Sequence, residues 1–324
     1  MELEGIVDLG TSAVSPILAL LPVSPAAADV DRLVYRSDCV AVGAFRCRPD
    51  HPLFEDSGPI RNHCFVFPRT AVEIQHFNGP AFQGDPTVIT LYNPGQRYRR
   101  RATSPEGDHC DYYAVSPQIM HEMLQHYDPG ALDTAGGFRT ACVSSSAALY
   151  LRQRQFFRQL VNGNVDDGLL VEEFVLTMLG EVLAGGDPAR TKSIAHQTAN
   201  LSTTVVEGAR RLLATSIGQS LRLSTIARRL SCSPFHLCRV FRKATGLTLH
   251  QYREQVRLRR ALQLIETGLD LTSVALEVGY SSHSHFSHAF RQTFGTTPRV
   301  VRHSLRAGVT TVEDGRPGLP RVRG

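Results

Sequence analysis

The stretch SPFHLCRVFRKATG, residues 233–246, decides how the C-terminal third of this 324-residue chain is expected to fold. Ser233 is a good helix cap, and Pro234 follows it at the first helical position, where a missing backbone N–H costs nothing. Gly246 is a typical stop signal for the same helix. Apolar residues recur at the spacing of one helical face: Leu237, Val240, Phe241 and Ala244. The sequence therefore predicts a short helix with one buried stripe.

The remaining faces of this predicted helix are mainly basic. They carry Phe235, His236, Cys238, Arg239, Arg242 and Lys243. The preceding segment LRLSTIARRL (221–230) has helical apolar spacing too, with Ser224 as its expected N-cap, and three turn residues separate the two helices. Two helices joined by a tight turn, the second with a basic exposed face, are typical of a helix-turn-helix unit that binds DNA.

The same pattern occurs a second time along the chain. LTSVALEVGY (271–280) and SSHSHFSHAFRQTFG (281–295) repeat the apolar spacing at offsets of 48 and 49 residues, so the second turn is one residue longer. The second predicted recognition helix leaves five polar side chains on its outer faces: His283, Ser284, Ser287, His288 and Arg291. This internal duplication predicts two helix-turn-helix units, at about 223–245 and 271–294.

A predicted spacer helix joins the two units. LTLHQYREQVRLRRALQLIETG (247–268) forms one helix of about 19 residues, which is ~28 Å long at 1.5 Å per residue. That length is close to the ~34 Å between successive major-groove faces of a DNA duplex. Arg253, Arg257 and Arg260 follow one side of this helix, where a solvated face and a set of phosphate contacts are equally consistent with the sequence.

The charge of the chain is divided unevenly. Residues 1–199 contain 16 Lys and Arg against 23 Asp and Glu, a net charge of −7, whereas residues 200–306 contain 16 against 5, a net charge of +11. A basic C-terminal part attached to an acidic N-terminal part indicates a polyanion partner for the C-terminal part alone.

From about 205 to 306 the chain resembles the DNA-binding domain of AraC/XylS-type transcriptional regulators. The resemblance is carried by IARRL, SPFHLCRVFRKATG, QYREQVRLRRAL and VALEVGYSSHSHFSHAFRQTFGTTP. It implies a fold of seven helices and implies that the outer residues of both recognition helices face bases or phosphates. Arg239 is the best candidate for a bidentate contact to guanine, so the first recognition helix is expected to dominate specificity.

The N-terminal part contains a segment with a strand-like pattern followed by a segment with a helical pattern. Residues 34–115 are rich in β-branched and aromatic runs separated by turn signals, which predicts a small antiparallel barrel or sandwich, and 117–184 is helical in period. The resemblance implies a cupin-like module for effector binding and dimerisation at 34–184. We therefore expect an α+β protein, a β-rich cupin-like barrel with helices followed by an all-α domain. The expected segments are 1–33 (N-terminal segment), 185–202 (linker), 203–306 (DNA-binding domain) and 307–324 (disordered tail).

Enzymatic and sensor functions are alternatives. A metal-dependent cupin enzyme would need an H-x-H pair in its barrel, but the H-x-H of this chain, His283–His285, lies in the DNA-binding part. HEMLQH (121–126) separates its histidines by five residues, whereas a zinc-protease helix needs four. No catalytic residue, metal ligand or cofactor is therefore predicted. The pairs His63–Cys64 and His109–Cys110 leave a redox or metal sensor open.

The basic run RYRRR (97–101) is compatible with a solvated turn, a contact to an anionic effector or an additional DNA contact. The seven cysteines have no disulfide spacing, and no apolar run approaches ~18 residues, so a reduced cytoplasmic protein without a membrane span is expected. The expected partners are double-stranded promoter DNA, RNA polymerase if the protein is an activator, a small-molecule effector and a second copy of the chain in a homodimer.

Overall fold

The computed structural model describes residues 30–76, 79–134, 136–165, 167–185, 201–219 and 221–306. Its N-terminal part is β-rich with helices and its C-terminal part is all helical, which confirms the predicted α+β class. The predicted tail 307–324, most of the linker and most of the N-terminal segment lie outside the described residues. No helix of the described residues is long and apolar enough to cross a membrane.

Ten strands are described, and every strand pair is antiparallel. They are β1 (Asp31–Arg36), β2 (Val40–Cys47), β3 (Asp56–Ser57), β4 (His63–Pro68), β5 (Val72–His76), β6 (Ala81–Gly84), β7 (Val88–Tyr92), β8 (Tyr98–Ala102), β9 (Asp108–Val115) and β10 (Cys142–Ser144). The first strand begins at Asp31, three positions before the expected start of the domain. Three β-branched and aromatic runs of the sequence, FVFP (65–68), TVITLY (87–92) and DYYAV (111–115), fall on β4, β7 and β9.

The strands form two sheets, with orders β1-β2-β9-β4-β7-β10 and β3-β8-β5-β6. Along β4, Phe65 and Phe67 belong to a core shared with the helices, whereas Cys64 and Val66 belong to a second core lined by both sheets. Both faces of the six-stranded sheet are therefore buried, which explains why its strands are continuously apolar rather than alternating.

The closed barrel that the resemblance implied is not found among the described residues. No strand of one sheet pairs with a strand of the other, so the β-rich part is an open two-sheet sandwich. One edge of each sheet is very short, since β3 has two residues and β10 has three, while the other edges are β1 and β6. Strands this short offer too few backbone hydrogen bonds to join the sheets.

Four helices accompany the sandwich: α1 (Pro117–Tyr127), α2 (Pro129–Thr134), α3 (Ala147–Val161) and α4 (Gly168–Gly185). Ser116 and Ser146 cap α1 and α3 by accepting hydrogen bonds from Ile119 N and Leu149 N. These helices pack their apolar faces on the six-stranded sheet and extend the helix-side core. Three segments with helical period within 117–184 correspond to α1, α3 and α4: PQIMHEMLQHY (117–127), AALYLRQRQFFRQLV (147–161) and GLLVEEFVLTMLGEVLA (168–184).

The C-terminal part contains seven described helices, the number that the resemblance implied. They are α5 (Leu201–Thr215), α6 (Leu223–Arg229), α7 (Pro234–Thr245), α8 (Leu249–Glu266), α9 (Leu271–Glu277), α10 (His283–Phe294) and α11 (Pro298–Arg306). The α5 helix begins inside the range expected for the linker, at its last two positions. The spacer helix α8 has 18 residues, close to the predicted 19.

The predicted duplication is present in the backbone. Both first helices, α6 and α9, have seven residues, and both second helices, α7 and α10, have twelve. Ser233 and Ser282 cap the second helices, which end at Gly246 (φ 73°) and Gly295 (φ 72°) in the left-handed conformation. The N-cap predicted at Ser224 is wrong, because α6 begins one residue earlier and its cap position makes no side-chain hydrogen bond.

The α8 helix divides its buried side chains between two cores. Tyr252 and Val256 pack with α5, α6 and α7 in the core of the first unit. The later residues Leu258, Leu262 and Ile265 pack with the second unit in a core that continues into the N-terminal helices. One rigid helix therefore fixes both units relative to each other.

The turn of the first unit holds a strained residue. Ser231 has φ 52°, and the equivalent position of the second unit, 48 residues later, is Gly279 with φ 87°. We expect Ser231→Gly to raise the free energy of unfolding by up to about 1 kcal/mol. A left-handed non-glycine residue costs about 1–2 kcal/mol, and part of the gain from removing that cost is lost because glycine is more flexible in the unfolded chain. Chemical denaturation followed by circular dichroism measures this change.

The reverse substitution at the second turn is the matched control. Gly279→Ala is expected to destabilise, because the added Cβ would lie 2.7 Å from Nη2 of Arg257 and 3.2 Å from Cα of Gly218. An unchanged or lower stability of the Ser231→Gly variant would contradict the strain argument.

Candidate nucleic-acid interface

The outer faces of α7 carry the residues predicted to bind DNA. Phe235 is 78% exposed, which is unusual for an aromatic side chain. His236 is half-buried, and the other predicted residues are exposed: Cys238, Arg239, Arg242 and Lys243. Leu237, Val240 and Phe241 are buried on the opposite side, as predicted. Within the described residues, none of the three α7 cations lies within 4 Å of a carboxylate, so they are available to an external anion.

The second recognition helix, α10, exposes a less charged surface. His283, Ser284, His288 and Arg291 are exposed and Ser287 is half-buried, 3.5 Å from the ring of His283. His285 is also exposed, with its ring packed edge-on against Tyr280 at 5.2 Å, although it was not among the predicted outer residues. The inward positions Phe286, Phe290 and Phe294 are buried as predicted.

The three arginines of the spacer helix are occupied by the protein itself. Arg253 and Arg257 donate to backbone carbonyls of Gln219 and Ile217. Arg260 forms an ion pair with Glu106 of the N-terminal part, with Nη1 at 3.1 Å. Of the two interpretations that the sequence left open, phosphate contact is the less favoured, because each guanidinium already has a protein acceptor.

A buried ion network joins the N-terminal part to the end of α8. Arg154 of α3 is 1% exposed and forms ion pairs with Asp111 of β9 and Glu266 of α8. Its Nε donates to Glu266 at 2.9 Å, and Arg69 donates to the same carboxylate at 3.0 Å. Gln263, one turn before Glu266, donates to the carbonyl of Arg69. Because both parts contribute charges to one desolvated cluster, separating them would leave buried charges unpaired.

A second polar contact holds the first unit to the sandwich. Asp85, at the turn before β7, is fully buried and accepts hydrogen bonds from Arg210 of α5 at 3.2 Å and from the hydroxyl of Tyr252. Glu207 of α5 accepts from the backbone N–H of Gln83 at 2.6 Å. Each of the two helix-turn-helix units is thus attached to the N-terminal part by its own buried contact.

Between these two contacts lies a buried cation without a carboxylate partner. Arg259 of α8 is 0% exposed, and within the described residues no carboxylate lies within 4 Å of it. Its guanidinium donates to the carbonyl of Ser145 at 2.8 Å, lies over the ring of Tyr150 at 5.3 Å and contacts Gln255. Burial lowers the pKa of Arg259 to about 10. The docked arrangement therefore contains an electrostatically costly element.

The basic run at 97–101 is structural. It forms β8, where Arg100 is 3% exposed, pairs with Asp108 at 2.8 Å and donates to the carbonyls of Leu53 and Phe54. The neighbouring Arg99 and Arg101 pair with carboxylates on adjacent strands. Of the three interpretations of this run, neither an effector contact nor a DNA contact is supported.

A small cavity lies between the two sheets. Aromatic and aliphatic side chains line it, among them Phe45, Val66, Tyr92, Tyr98 and Tyr112. It offers about 20 Å³ to the centre of a water molecule, which is room for about one water. Thr90 lies on the cavity wall beside Tyr92. Outside the wall, the ring of His76 contacts Tyr92 and Tyr98, and its buried Nε2 has no hydrogen-bond partner among the described residues.

The candidate sensor pairs are packed into the sheets. Cys64 and Cys110 are buried, and burial raises the pKa of both thiols, which keeps them protonated and poorly reactive. His63 forms a hydrogen bond with the side chain of Asn93 at 3.2 Å. Within the described ranges, no three histidine, cysteine, aspartate or glutamate side chains are grouped to hold a metal ion.

Comparison with known proteins bears on the C-terminal part above all. A family described as "Helix-turn-helix domain" matches residues 226–304. The Msm operon regulatory protein of Streptococcus mutans serotype c is 31% identical over 138 residues, which cover 42% of this chain and 44% of that protein. The regulatory protein SoxS of Salmonella typhimurium is 37% identical over 90 residues, covering 28% of this chain and 84% of SoxS.

One relative aligns with both parts of the chain. The arabinose operon regulatory protein of Escherichia coli strain K12 is 24% identical over 237 residues, which cover 72% of this chain and 78% of that protein. For other curated relatives, including the Msm operon regulatory protein, the alignment with this chain covers less than half of the relative's length.

The buried His76 predicts how stability depends on pH. Burial lowers its folded-state pKa from about 6.5 to about 4, so protons bind the unfolded chain more readily between these values. Stability from this residue is therefore fully present above pH 6.5 and is lost as the pH falls toward 4. Between pH 7 and pH 5 we expect a loss of about 2 kcal/mol in the free energy of unfolding.

A His76→Gln variant, which cannot titrate, checks this by denaturant unfolding at both pH values. The loss on going from pH 7 to pH 5 should be smaller by about 2 kcal/mol than in the unmodified protein. His121→Gln on the exposed face of α1 is the control and should leave the pH dependence unchanged. Equal pH dependence of the His76→Gln variant and the unmodified protein would contradict the assignment.

Proposed function

Because the chain belongs to the AraC/XylS-type family of transcriptional regulators, we propose that it is a sequence-specific regulator that reads double-stranded promoter DNA with α7 and α10. The observation that carries this proposal is the pair of equal helix-turn-helix units with open polar faces on one rigid helix. The 18 residues of α8 span ~27 Å, so α7 and α10 enter successive major grooves of one duplex.

The two recognition helices have different roles in this proposal. Arg239, exposed and free of acidic partners among the described residues, makes a bidentate contact to guanine in the major groove. Phe235 at the start of the same helix presents an apolar surface suited to a thymine methyl group. The outer residues of α10 supply weaker readout: His283, Ser284, Ser287, His288 and Arg291. The first unit therefore dominates specificity.

We expect Arg239→Ala to weaken binding to the preferred sequence by about 1–3 kcal/mol and to relax preference at one base pair. Fluorescence anisotropy on the preferred duplex and on its single-base variants measures both effects. A uniform loss on every sequence would instead assign Arg239 to a phosphate. Arg99→Ala on β8, whose partner is Asp56 of the sandwich, is the control and should leave the affinity unchanged.

A small-molecule effector is the second part of the proposal. The cavity between the sheets supports it, because its lining is aromatic and His76, which contacts Tyr92 and Tyr98 of that lining, has a buried Nε2 without a hydrogen-bond partner among the described residues. The present space holds about one water molecule, so an effector of several atoms requires Tyr92 and Tyr98 to move. Tyr92 ends β7 and Tyr98 begins β8, so their movement would shift a strand in each of the two sheets.

The coupling between effector and DNA runs, in this proposal, through the direct interface rather than through the linker alone. Asp85 lies three residues before β7 and holds Arg210 and Tyr252 of the first unit. Arg154 links β9 to the end of α8. Shifts of the sheet are thereby passed to both units. In the docked state the DNA-binding part is held against the N-terminal part, and in the released state it is separated from it. The cost of burying Arg259 without a carboxylate brings these two states closer in free energy, so that the binding energy of an effector is enough to shift the equilibrium between them.

The interface predicts a specific response to Glu266→Gln. Removing the carboxylate charge takes away an ion-pair partner of Arg154 and Arg69 in a buried site. Loss of one partner of a fully buried pair lowers the free energy of unfolding by about 3–5 kcal/mol. We expect faster hydrogen exchange of α8 backbone amides and a changed DNA affinity. Glu106→Gln removes the exposed partner of Arg260 and is the matched control, with little expected effect. Equal exchange rates in both variants would contradict the proposed coupling.

A homodimer and a contact to RNA polymerase complete the proposal. Support for the homodimer comes from exposed apolar side chains on the N-terminal helices, where Leu169 of α4 is 65% exposed and Tyr127 of α1 is 41% exposed. A second copy covering them would place two DNA-binding parts on one promoter. The polymerase contact rests on the family alone and applies if the protein is an activator.

Selection of genomic DNA fragments by the purified full-length protein at moderate salt tests the proposal as a whole. The expected result is one motif with two blocks about one helical turn apart. Recovery of unselected fragments, with or without candidate small molecules, would overturn sequence-specific reading. The genes beside the recovered sites would indicate the chemistry of the effector.

A further inference from the structure

The two helix-turn-helix units share one backbone geometry but differ in charge. Residues 221–246, which include α6 and α7, contain six Lys or Arg and no acidic residue. The equivalent residues 269–295, which include α9 and α10, contain one Arg and two acidic residues. DNA is a polyanion whose counterions are released when cations replace them, so the two units cannot contribute equally to binding.

Much of this difference lies on the first helix of each unit. In α6 three exposed positions are basic, one at the N-cap and two in the last turn, whereas in α9 the equivalent positions are acidic or apolar. Three equivalent pairs, 48 positions apart, differ in this way: Arg222 and Asp270, Arg228 and Leu276, Arg229 and Glu277. Both helices have seven residues, so the difference is one of side chains. It includes the cap position, where the Asp270 carboxylate caps α9 and Arg222 makes no side-chain cap on α6.

The three arginines of the first unit are available to bind an anion. Ile226 and Ala227 are buried, while Arg222, Arg228 and Arg229 are exposed on the other sides of α6. In the part of the chain that the structure describes, none of these arginines lies within 4 Å of a carboxylate. They differ in this from the arginines of α8, whose guanidiniums are held by protein acceptors.

The equivalent positions of the second unit are unsuited to phosphate. Asp270 is exposed and its carboxylate caps α9, accepting from the backbone N–H groups of Thr272 and Ser273 at 3.0 Å each. Glu277 is exposed at the other end, and Leu276 between them is 60% exposed. The two negative charges would repel a DNA backbone, and the apolar side chain offers a phosphate no hydrogen-bond donor.

In a helix-turn-helix, the first helix crosses the sugar-phosphate backbone while the second enters the groove. Building on the DNA-reading role proposed above, we propose that Arg222, Arg228 and Arg229 bind backbone phosphates and anchor the first unit, and that α9 makes no equivalent contact. The two units then contribute unequally to DNA binding. The first unit supplies most of the salt-dependent affinity, and the second adds sequence preference with few phosphate contacts.

The test compares the salt dependence of DNA binding in full-length proteins. The triple variant Arg222→Gln, Arg228→Gln, Arg229→Gln should reduce the slope of log affinity against log salt by about 2–3, since each phosphate contact contributes about 0.9. Affinity for the selected duplex and for a random duplex should fall by the same factor. The single variant Arg229→Gln should reduce the slope by about 0.9, and it provides the answer if the triple variant does not fold.

The matched control removes the same charge from the N-terminal part. Arg32→Gln, Arg48→Gln and Arg152→Gln are combined, since all three arginines are exposed there. This variant should keep the slope of the unmodified protein, which separates local contacts from a change in net charge.

Each outcome has one meaning. If the unmodified protein binds no DNA, the proposed function itself fails. If it binds DNA and the arginine variants keep its slope within about 0.5, the anchor is overturned while the proposed function stands. A loss confined to the selected duplex would make these arginines base readers, which also overturns the anchor.

Discussion

The ion network centred on Arg154 is the interaction on which the arrangement of this protein depends. One almost fully buried guanidinium compensates Asp111 from the sheet and Glu266 from the spacer helix, and Arg69 shares the second carboxylate. Buried charges tolerate few alternative positions, because each displaced partner leaves a desolvated charge behind. The network therefore fixes the end of α8 against the sandwich, and with it the second helix-turn-helix unit.

The α8 helix converts this single attachment into a geometry for both units. Its first half belongs to the core of the first unit and its second half to a core continuous with the N-terminal helices. Asp85 holds the first unit separately through Tyr252 and Arg210. Arg259, buried between the two attachments without a carboxylate, opposes them. An interface with strong pairs at its ends and a costly cation in its middle is suited to switching between two states.

The two helix-turn-helix units have the same backbone structure but different exposed side chains. Equal helix lengths, serine caps and left-handed glycine ends keep α7 and α10 in the same relation to their first helices. Local backbone chemistry requires those residues in both units, because they satisfy helix ends. No such requirement applies to exposed positions, so one unit has become basic and the other nearly neutral. A pair of units with one ancestry can thus serve unequal roles on the same duplex.

The sequence by itself determined the helices of both helix-turn-helix units, the helix between them, the cap at Ser233, the end at Gly246 and most outer residues of α7 and α10, because helical period and capping are local properties. It also predicted the strands β4, β7 and β9 from their apolar runs. Only the tertiary structure decided that the sheets stay open, that Arg100 within the basic run is buried and paired with Asp108, and that Arg260 pairs with Glu106. Those outcomes depend on partners far apart in the chain, and spacing along one segment carries no information about them.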